Sequence, residues 1–208
     1  REREMINEIM EETCGARLTM NYNVPGGVMA DIHPDFQRKT KAFLAFFKDK
    51  LPEYDELVTG NIIFQNRMKD IGIISKEDAI SYGCSGPTAR ASGVSCDIRK
   101  THPYSIYDKV QFDEVLETTG DSFGRYLVRM QEMRQSIHII EQLIDNIPEG
   151  DFQAKTKAVL KLPKGEFYTR VETARGELGV FIVSEGGTTP YRIKFRSPGF
   201  SNLSALDH

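Results

Sequence analysis

Two short stretches hold the residues most able to do chemistry. The first is "GPTARASGVSCDIRKTHPY", Gly86 to Tyr104, which carries Arg90, Asp97, Arg99 and Lys100 beside a lone Cys96. The second is "VETARGELGV", which carries Glu172, Arg175 and Glu177. Guanidinium and carboxylate groups at this density form charge-assisted, often bidentate hydrogen bonds. Desolvated charges must also be paired, because an unpaired buried charge is costly. These residues therefore read either as an ion-pair network that fixes a loop or as a polar lining around a cofactor or a subunit interface. Residue types alone leave both open.

Other chemistries lack their signatures. There is no Ser-His-Asp order, Walker loop, Rossmann glycine fingerprint or H-E-x-x-H motif. Gly176-Glu177-Leu178-Gly179 lacks the third glycine of a dinucleotide loop. His33, His102, His138 and His208 are scattered, with no partner at fixed spacing. Cys14, Cys84 and Cys96 are odd in number, widely spaced and without a C-x-x-C pair. They read as small buried hydrophobes in a reducing compartment, with no zinc or iron–sulfur motif.

The elements that position these groups follow from periodicity. Residues 1 to about 20 read as a helix with Met5, Ile6, Ile9 and Met10 on one face, broken at Gly15. "NVPGGV" is turn chemistry. A second helix starts near Pro34 and buries Phe36, Phe43, Leu44, Phe47 and Leu51, leaving Lys39, Lys41, Lys48 and Lys50 to solvent; Pro52 interrupts it. A third helix runs toward Met68, and Ser75 N-caps a short helix carrying Ala79, Ile80 and Tyr82.

The clearest element spans Asp121 to Asn146, where Tyr126, Met130, Met133, Ile137, Ile140 and Ile144 step by three and four residues. Its other face repeats Arg125, Arg129, Glu132 and Ser136. Such a stripe reads first as a solvated face, and otherwise as a surface packed on another polar one. Toward the C-terminus, Tyr191, Ile193 and Phe195 alternate with Arg192, Lys194 and Arg196 as a half-buried strand. Residues 179–183 are its antiparallel partner across a turn at Glu185-Gly186-Gly187, and Phe167 to Val171 add a third strand. The fold class is mainly α (α+β), a multihelical body with a small antiparallel sheet near the C-terminus. The expected organisation is one domain over 1–208. Residues 1–150 form its helical portion, with an ordered loop at 83–117, and residues 151–208 form its sheet portion.

The chain has 208 residues and a formal charge of −3, which argues against a general nucleic-acid binder. Hydrophobic residues are 39% and aromatics 10%, ordinary for a globular protein. No apolar run approaches the length of a bilayer span, and the charged start Arg1-Glu2-Arg3-Glu4 does not read as a signal peptide. The abrupt opening reads as the interior of a helix, so a fragment is expected.

Three blocks resemble a known family: "SGPTARASGVSCDIRKTHPYSIYDKVQFD", "GDSFGRYLVRMQEMRQS" and "RGELGVFIVSEGGTTPYRIKFRSPGFSNLSAL". In this order and spacing they are similar to the D subunit of NADH-quinone oxidoreductase, respiratory complex I, a relative of the large subunits of nickel–iron hydrogenases. "REREM…GARLTMNYNVPGGV" extends the resemblance over almost the whole chain. The resemblance implies a hydrogenase-large-subunit-like body in the peripheral arm, on the cytoplasmic side of the bacterial inner membrane, meeting the membrane only through the complex. It implies other complex I subunits as partners, above all the small subunit that holds the terminal iron–sulfur cluster, and no nucleic acid. Quinone and the cluster would be bound with neighbouring subunits and NADH and flavin elsewhere in the complex, with no cofactor held by this chain alone.

On this reading the quinone-contacting residues lie upstream of "REREM", and the region corresponding to the metal-binding cysteines of hydrogenases lies beyond "SNLSAL". The isolated chain is then inactive, and Arg90, Asp97, Arg99, Arg125, Arg129, Glu132, Arg175 and Glu177 are structural or interface residues. Two positions depart from the family. Many members place a His just after the "GGV" turn; Ala30 holds that place here, near the terminal cluster, and Cys96 stands where an aromatic is common. The alternatives are a fragment of a membrane-bound hydrogenase or formate hydrogenlyase large subunit, and a non-catalytic helical scaffold.

Overall fold

The computed structural model describes residues 1–157 and 159–206; His208, one of the four scattered histidines, lies outside them. Contacts group the chain into two compact units, Arg1–Leu57 with Ile140–Leu160, and Val58–Ile139 with Lys161–His208.

The first unit is built on two helices. Helix α1, Glu2–Cys14, ends where Gly15 turns left-handed and its N–H caps the Glu11 carbonyl at 2.9 Å. A two-residue hairpin follows, with β1 (Asn23–Val24) paired to β2 (Gly27–Val28) across the Pro25-Gly26 turn. Helix α2, Phe36–Tyr54, buries Thr40, Phe43, Leu44 and Leu51. Its lysines are tied down along its flanks: Lys39 to Glu12, Lys41 to Asp145 and Lys48 to Glu141. Pro52 does not interrupt α2. It stands in the last turn, where a missing N–H and a crowded carbonyl cost little further helix. The chain then widens into a π-helical turn, Asp55–Thr59.

The second unit carries the two charged stretches. Helix α3 (Ile62–Met68) is N-capped by Asn61, whose Oδ1 accepts from the N–H groups of Ile63 and Phe64. Helix α4 (Lys76–Ser81) is capped by Ser75, as its spacing predicts, through a 3.0 Å bond from the Asp78 N–H. The segment expected as a loop over 83–117 contains two helices, α5 (Gly86–Ala91) and α6 (Ile98–Thr101). They have six and four residues, too short for an apolar stripe to register. A small core of Ala79, Cys84, Ala89 and Ala205, with Ile74, Val94 and Cys96 against it, holds this segment in place.

Helix α7, Ser122–Leu143, is the long element that periodicity predicts. Met130 and Ile137 on the expected seam are buried, and so are Val128 and Ile139, which the seam omits; Ile140 is exposed. Strands β3 (Gly165–Thr173), β4 (Gly176–Ser184) and β5 (Arg192–Arg196) form an antiparallel sheet in the order β3-β4-β5. Phe167 pairs with Ile182, and Ile182 with Ile193. The alternation in β5 is correct in register but not in burial, since Ile193 and Phe195 are 45% and 67% exposed. Helix α8, Pro198–Leu203, follows the sheet.

The charged stretches meet because two backbones touch. Gly86 opens α5 and Gly176 opens β4. A Cβ on Gly86 would sit 2.5 Å from the Gly176 Cα, and a Cβ on Gly176 would sit 2.5 Å from the Ser85 Oγ. Both residues have positive φ, 65° and 128°. Only glycine meets both demands at once. This contact brings the β3–β4 hairpin, and Glu172 with it, onto the start of α5.

Candidate functional site

The site is centred on Arg90, which α5 carries into the interior. Its side chain is 2% exposed, and two carboxylates from distant elements hold it. The Nε donates to Oε1 of Glu132 on α7 at 2.8 Å, and Nη1 donates to Oε1 of Glu172 on β3 at 2.9 Å. Burial works against the charge on Arg90, but the two carboxylates outweigh it and leave its pKa above the ordinary value. Burial pushes Glu172 above the usual carboxylate range, against the pull of Arg90. The Glu172 side chain is 4% exposed, and its Oε2 accepts from the Ile98 N–H at 3.3 Å.

A second ion pair lies alongside. Asp97 caps α6, accepting from the Arg99 N–H at 2.9 Å. It also receives both Nε and Nη2 of Arg99, at 3.0 and 2.7 Å. Burial would raise its pKa; the Arg99 hydrogen bonds and charge prevail and hold it below the usual range. The Arg99 guanidinium lies 4.8 Å from the Phe112 ring centroid and 5.8 Å from that of Tyr107, so its second face rests on aromatics. Glu114 closes the loop, with Oε1 accepting from the N–H groups of Cys96 and Asp97 at 2.8 and 2.9 Å. The Tyr104 hydroxyl accepts from the Glu172 N–H at 3.1 Å. Burial pushes the Cys96 thiol up to about 11.

These groups border a cavity of about 460 Å³, lined by Arg90, Arg99, Arg129, Glu132 and Glu172 with Tyr107. The stripe read first as solvated is so only in part: Arg129 and Ser136 are exposed, while Arg125 and Glu132 are half-buried and engage groups of other segments. Glu132 pairs with Arg90, while Arg125 donates to the carbonyls of Gly120 and Gly72 at 2.7 and 2.8 Å. Ser136 donates to the Glu132 carbonyl at 2.8 Å. Arg129 donates to the Arg125 carbonyl at 2.7 Å and opens onto the cavity.

Glu177 and Arg175 lie apart from this centre. Glu177 shares a different cluster, accepting from the Tyr168 hydroxyl at 2.9 Å and lying 3.6 Å from Arg170; its N–H donates to the Ser85 Oγ. Arg175 is exposed at the tip of the β3–β4 hairpin, where its carbonyl accepts from Asn202. Ala30 belongs to the first unit, exposed, with its carbonyl accepting from the Tyr22 hydroxyl at 2.7 Å. Glu114, Tyr104 and Tyr107 join the site without being marked out by the sequence. Glu114 acts through backbone N–H groups 17 and 18 residues away, a relation that no local motif encodes.

The arrangement stabilises charge and fixes geometry, and burial keeps the Cys96 thiol beside it protonated at neutral pH. Among the described residues, no group of three or more His, Cys, Asp or Glu side chains is placed to hold a metal ion. No helix of the described residues is long and apolar enough to cross a membrane.

Comparison with known proteins gives concordant results. The family described as respiratory-chain NADH dehydrogenase, 49 Kd subunit, matches residues 1–161 and 151–208. The chain is 54% identical over 207 residues to the NADH-quinone oxidoreductase C/D subunit of Bacteroides fragilis, covering 100% of this chain and 39% of that protein. It is 48% identical over 207 residues to the NADH-quinone oxidoreductase D subunit of Bacillus anthracis, covering 99% of this chain and 57% of that one. The chain thus spans about half the length of the curated relatives it matches. Among solved structures, a chain of the membrane-bound sulfane sulfur reductase, an archaeal respiratory membrane complex, superposes with a TM-score of 0.92 at 35% identity, over 99% of this chain and 57% of that one.

Proposed function

The chain belongs to the family of the respiratory-chain NADH dehydrogenase 49 Kd subunit, and from that premise we propose that it forms part of the quinone-reducing module of a proton-translocating NADH-quinone oxidoreductase. Electrons from NADH reach quinone there by way of flavin and iron–sulfur clusters carried by neighbouring subunits. The observation that carries this reading is 48–54% identity over essentially the whole chain to subunits so named.

In this reading the chain's own residues perform no bond-making step. Arg90, Glu132 and Glu172 lock α5, α7 and β3 together, and the Asp97–Arg99 pair fixes the loop between them. The locked surface then presents a fixed face to the small subunit that holds the terminal cluster. Ala30 lies near that cluster, where an imidazole would favour the reduced form by its positive charge; its absence lowers the cluster potential and suits a low-potential quinone such as menaquinone. The module sits in the peripheral arm on the cytoplasmic side of the inner membrane.

Arg90→Met in the assembled complex tests this role. The expected result is loss of NADH-quinone reductase activity together with loss of the cluster-bearing small subunit from the purified complex. Full activity with that small subunit retained overturns it.

A second reading is favoured by the solved relative, which belongs to a complex acting on sulfane sulfur. A subunit of a hydrogenase-related membrane complex would share this fold. Its identity to the chain is 35%, against 54% and 48% for the quinone-linked relatives, so the quinone reading is preferred. Assay of the membranes with quinone and with polysulfide as acceptor separates the two.

A further inference from the structure

A second cavity, of about 540 Å³, lies between α7 and the segment 68–74, beside the chain that follows α8. Arg125 and Arg129 both line it, one turn apart on α7, with Gly72, Ile73, Tyr126 and Leu206 among its other walls. None of the residues lining it is an Asp or Glu. Among the described residues, neither guanidinium lies within ion-pair distance of a carboxylate. Arg125 donates only to the Gly72 and Gly120 carbonyls and to the Ser122 Oγ, and Arg129 only to the Arg125 carbonyl.

Asp121, the acid nearest in sequence, is turned elsewhere. Its Oδ1 accepts from the Gly124 N–H and the Thr119 hydroxyl, and its Oδ2 from the Asp70 N–H. Burial, and then the charge of Arg129, draw the pKa of Arg125 below its ordinary value against the attraction of Asp121. The contrast with the neighbouring cavity is direct. There Arg90 meets two carboxylates and Arg99 meets one; here two like charges at i, i+4, an arrangement that is unfavourable in isolation, hold no carboxylate in an ion pair, although Arg129 feels the attraction of Glu132, three residues on.

We propose that this cavity is a docking site for an acidic polypeptide segment, whose carboxylate is received between Arg125 and Arg129. Charge complementarity selects the carboxylate, since two forked guanidiniums suit a planar, bidentate anion. The rim selects the rest of the ligand. Ile73 and Leu206 are 57% and 77% exposed at the cavity, and Ile71, Phe200 and Leu203 lie exposed in the adjoining segments. Apolar side chains flanking a half-buried Arg125 and an exposed Arg129 match an acidic residue set between apolar ones. The inference does not depend on the electron-transfer reading, because it rests on the two arginines and the apolar rim beside them.

The test is a titration of the whole chain, with the arginine side-chain N–H signals followed by NMR. The probes are N-acetyl-Leu-Asp-Leu-amide, its Leu-Asn-Leu counterpart, inorganic phosphate, and phosphatidylglycerol vesicles. The Asp peptide is expected to move the Nε–H signals of Arg125 and Arg129 and to bind at least about tenfold more tightly than the Asn peptide, the scale of one charged hydrogen bond. Arg129→Gln should abolish that preference while leaving the Arg90 signals in place, which certifies the fold; Arg125 is not chosen because it also ties Gly72 to Gly120. Equal binding of the two peptides overturns the proposal. So does phosphate matching the Asp peptide at equal concentration, which marks a simple anion site, or vesicle binding that Arg129→Gln removes, which marks a membrane surface.

Discussion

Arg90 and Glu172, 82 residues apart, form an ion pair at 2.9 Å with side chains only 2% and 4% exposed. The pair joins α5 to β3, and Glu132 adds α7 to the same guanidinium. A centre of this kind contributes less through net attraction than through the penalty for breaking it, because each partner left alone is a buried, uncompensated charge.

Arg90→Met should therefore destabilise the second unit by about 3–5 kcal/mol, the usual cost of orphaning a buried carboxylate. Adding Glu132→Gln and Glu172→Gln to Arg90→Met should restore part of the loss, since no charge is then left unpaired. Urea unfolding of the three proteins checks both statements. An Arg90→Met chain as stable as the parent would show that the centre is hydrated.

The Asp97 carboxyl should set part of the acid limb of stability. Its folded pKa lies below the ordinary value, so its ion pair with Arg99 contributes fully above the unfolded pKa and is lost as pH falls through the folded one. Asp97→Asn keeps a side-chain oxygen for the α6 cap but removes the charge. Melting temperatures from about pH 6 down to about pH 3 should fall less steeply for Asp97→Asn than for the parent. Parallel curves would contradict the shift.

The Gly86–Gly176 contact predicts a graded pair of variants. Gly83 has φ 65° with nothing within 4 Å of a built Cβ, whereas at Gly86, also φ 65°, the Cβ meets backbone at 2.5 Å. Gly83→Ala should cost about 1–2 kcal/mol, the left-handed penalty alone. Gly86→Ala should cost clearly more and should release the hairpin, seen as faster amide exchange at Glu177, whose N–H donates to the Ser85 Oγ.

Cys96 should be inert in the folded chain. With its thiol pushed up to about 11 by burial, the thiolate is scarce at neutral pH. Iodoacetamide labelling followed by mass spectrometry should modify Cys96 slowly in buffer and at an ordinary rate in urea. Rapid labelling in buffer would contradict the raised pKa of this half-buried thiol.

The sequence reveals elements more readily than their partners. The three- and four-residue steps from Tyr126 to Ile144 identify α7, and the alternation of Ile193 and Phe195 identifies β5 with the right neighbour, because periodicity is local. What lies against a face is not local. Within the Arg125–Ser136 stripe, Glu132 resembles a solvated residue until α5 supplies Arg90, whose other partner, Glu172, comes from β3. In the same way the β5 pattern signals an apolar face without showing that Ile193 and Phe195 stay exposed. The clustering of Arg90, Asp97 and Arg99 is legible from their density in one stretch. Glu114 and Tyr104 are not, because they act on backbone groups brought to them by the fold.

The central claim is that this polypeptide is a structural component of a quinone-reducing module and has no turnover of its own. The most direct measurement is affinity purification from native membranes through a tag on this polypeptide, followed by assay of the purified material and of the isolated 208-residue chain. The account predicts that the native material contains an iron–sulfur small subunit and reduces quinone with NADH, and that the isolated chain does neither. Purification without a cluster-bearing partner, or turnover by the isolated chain, would contradict it.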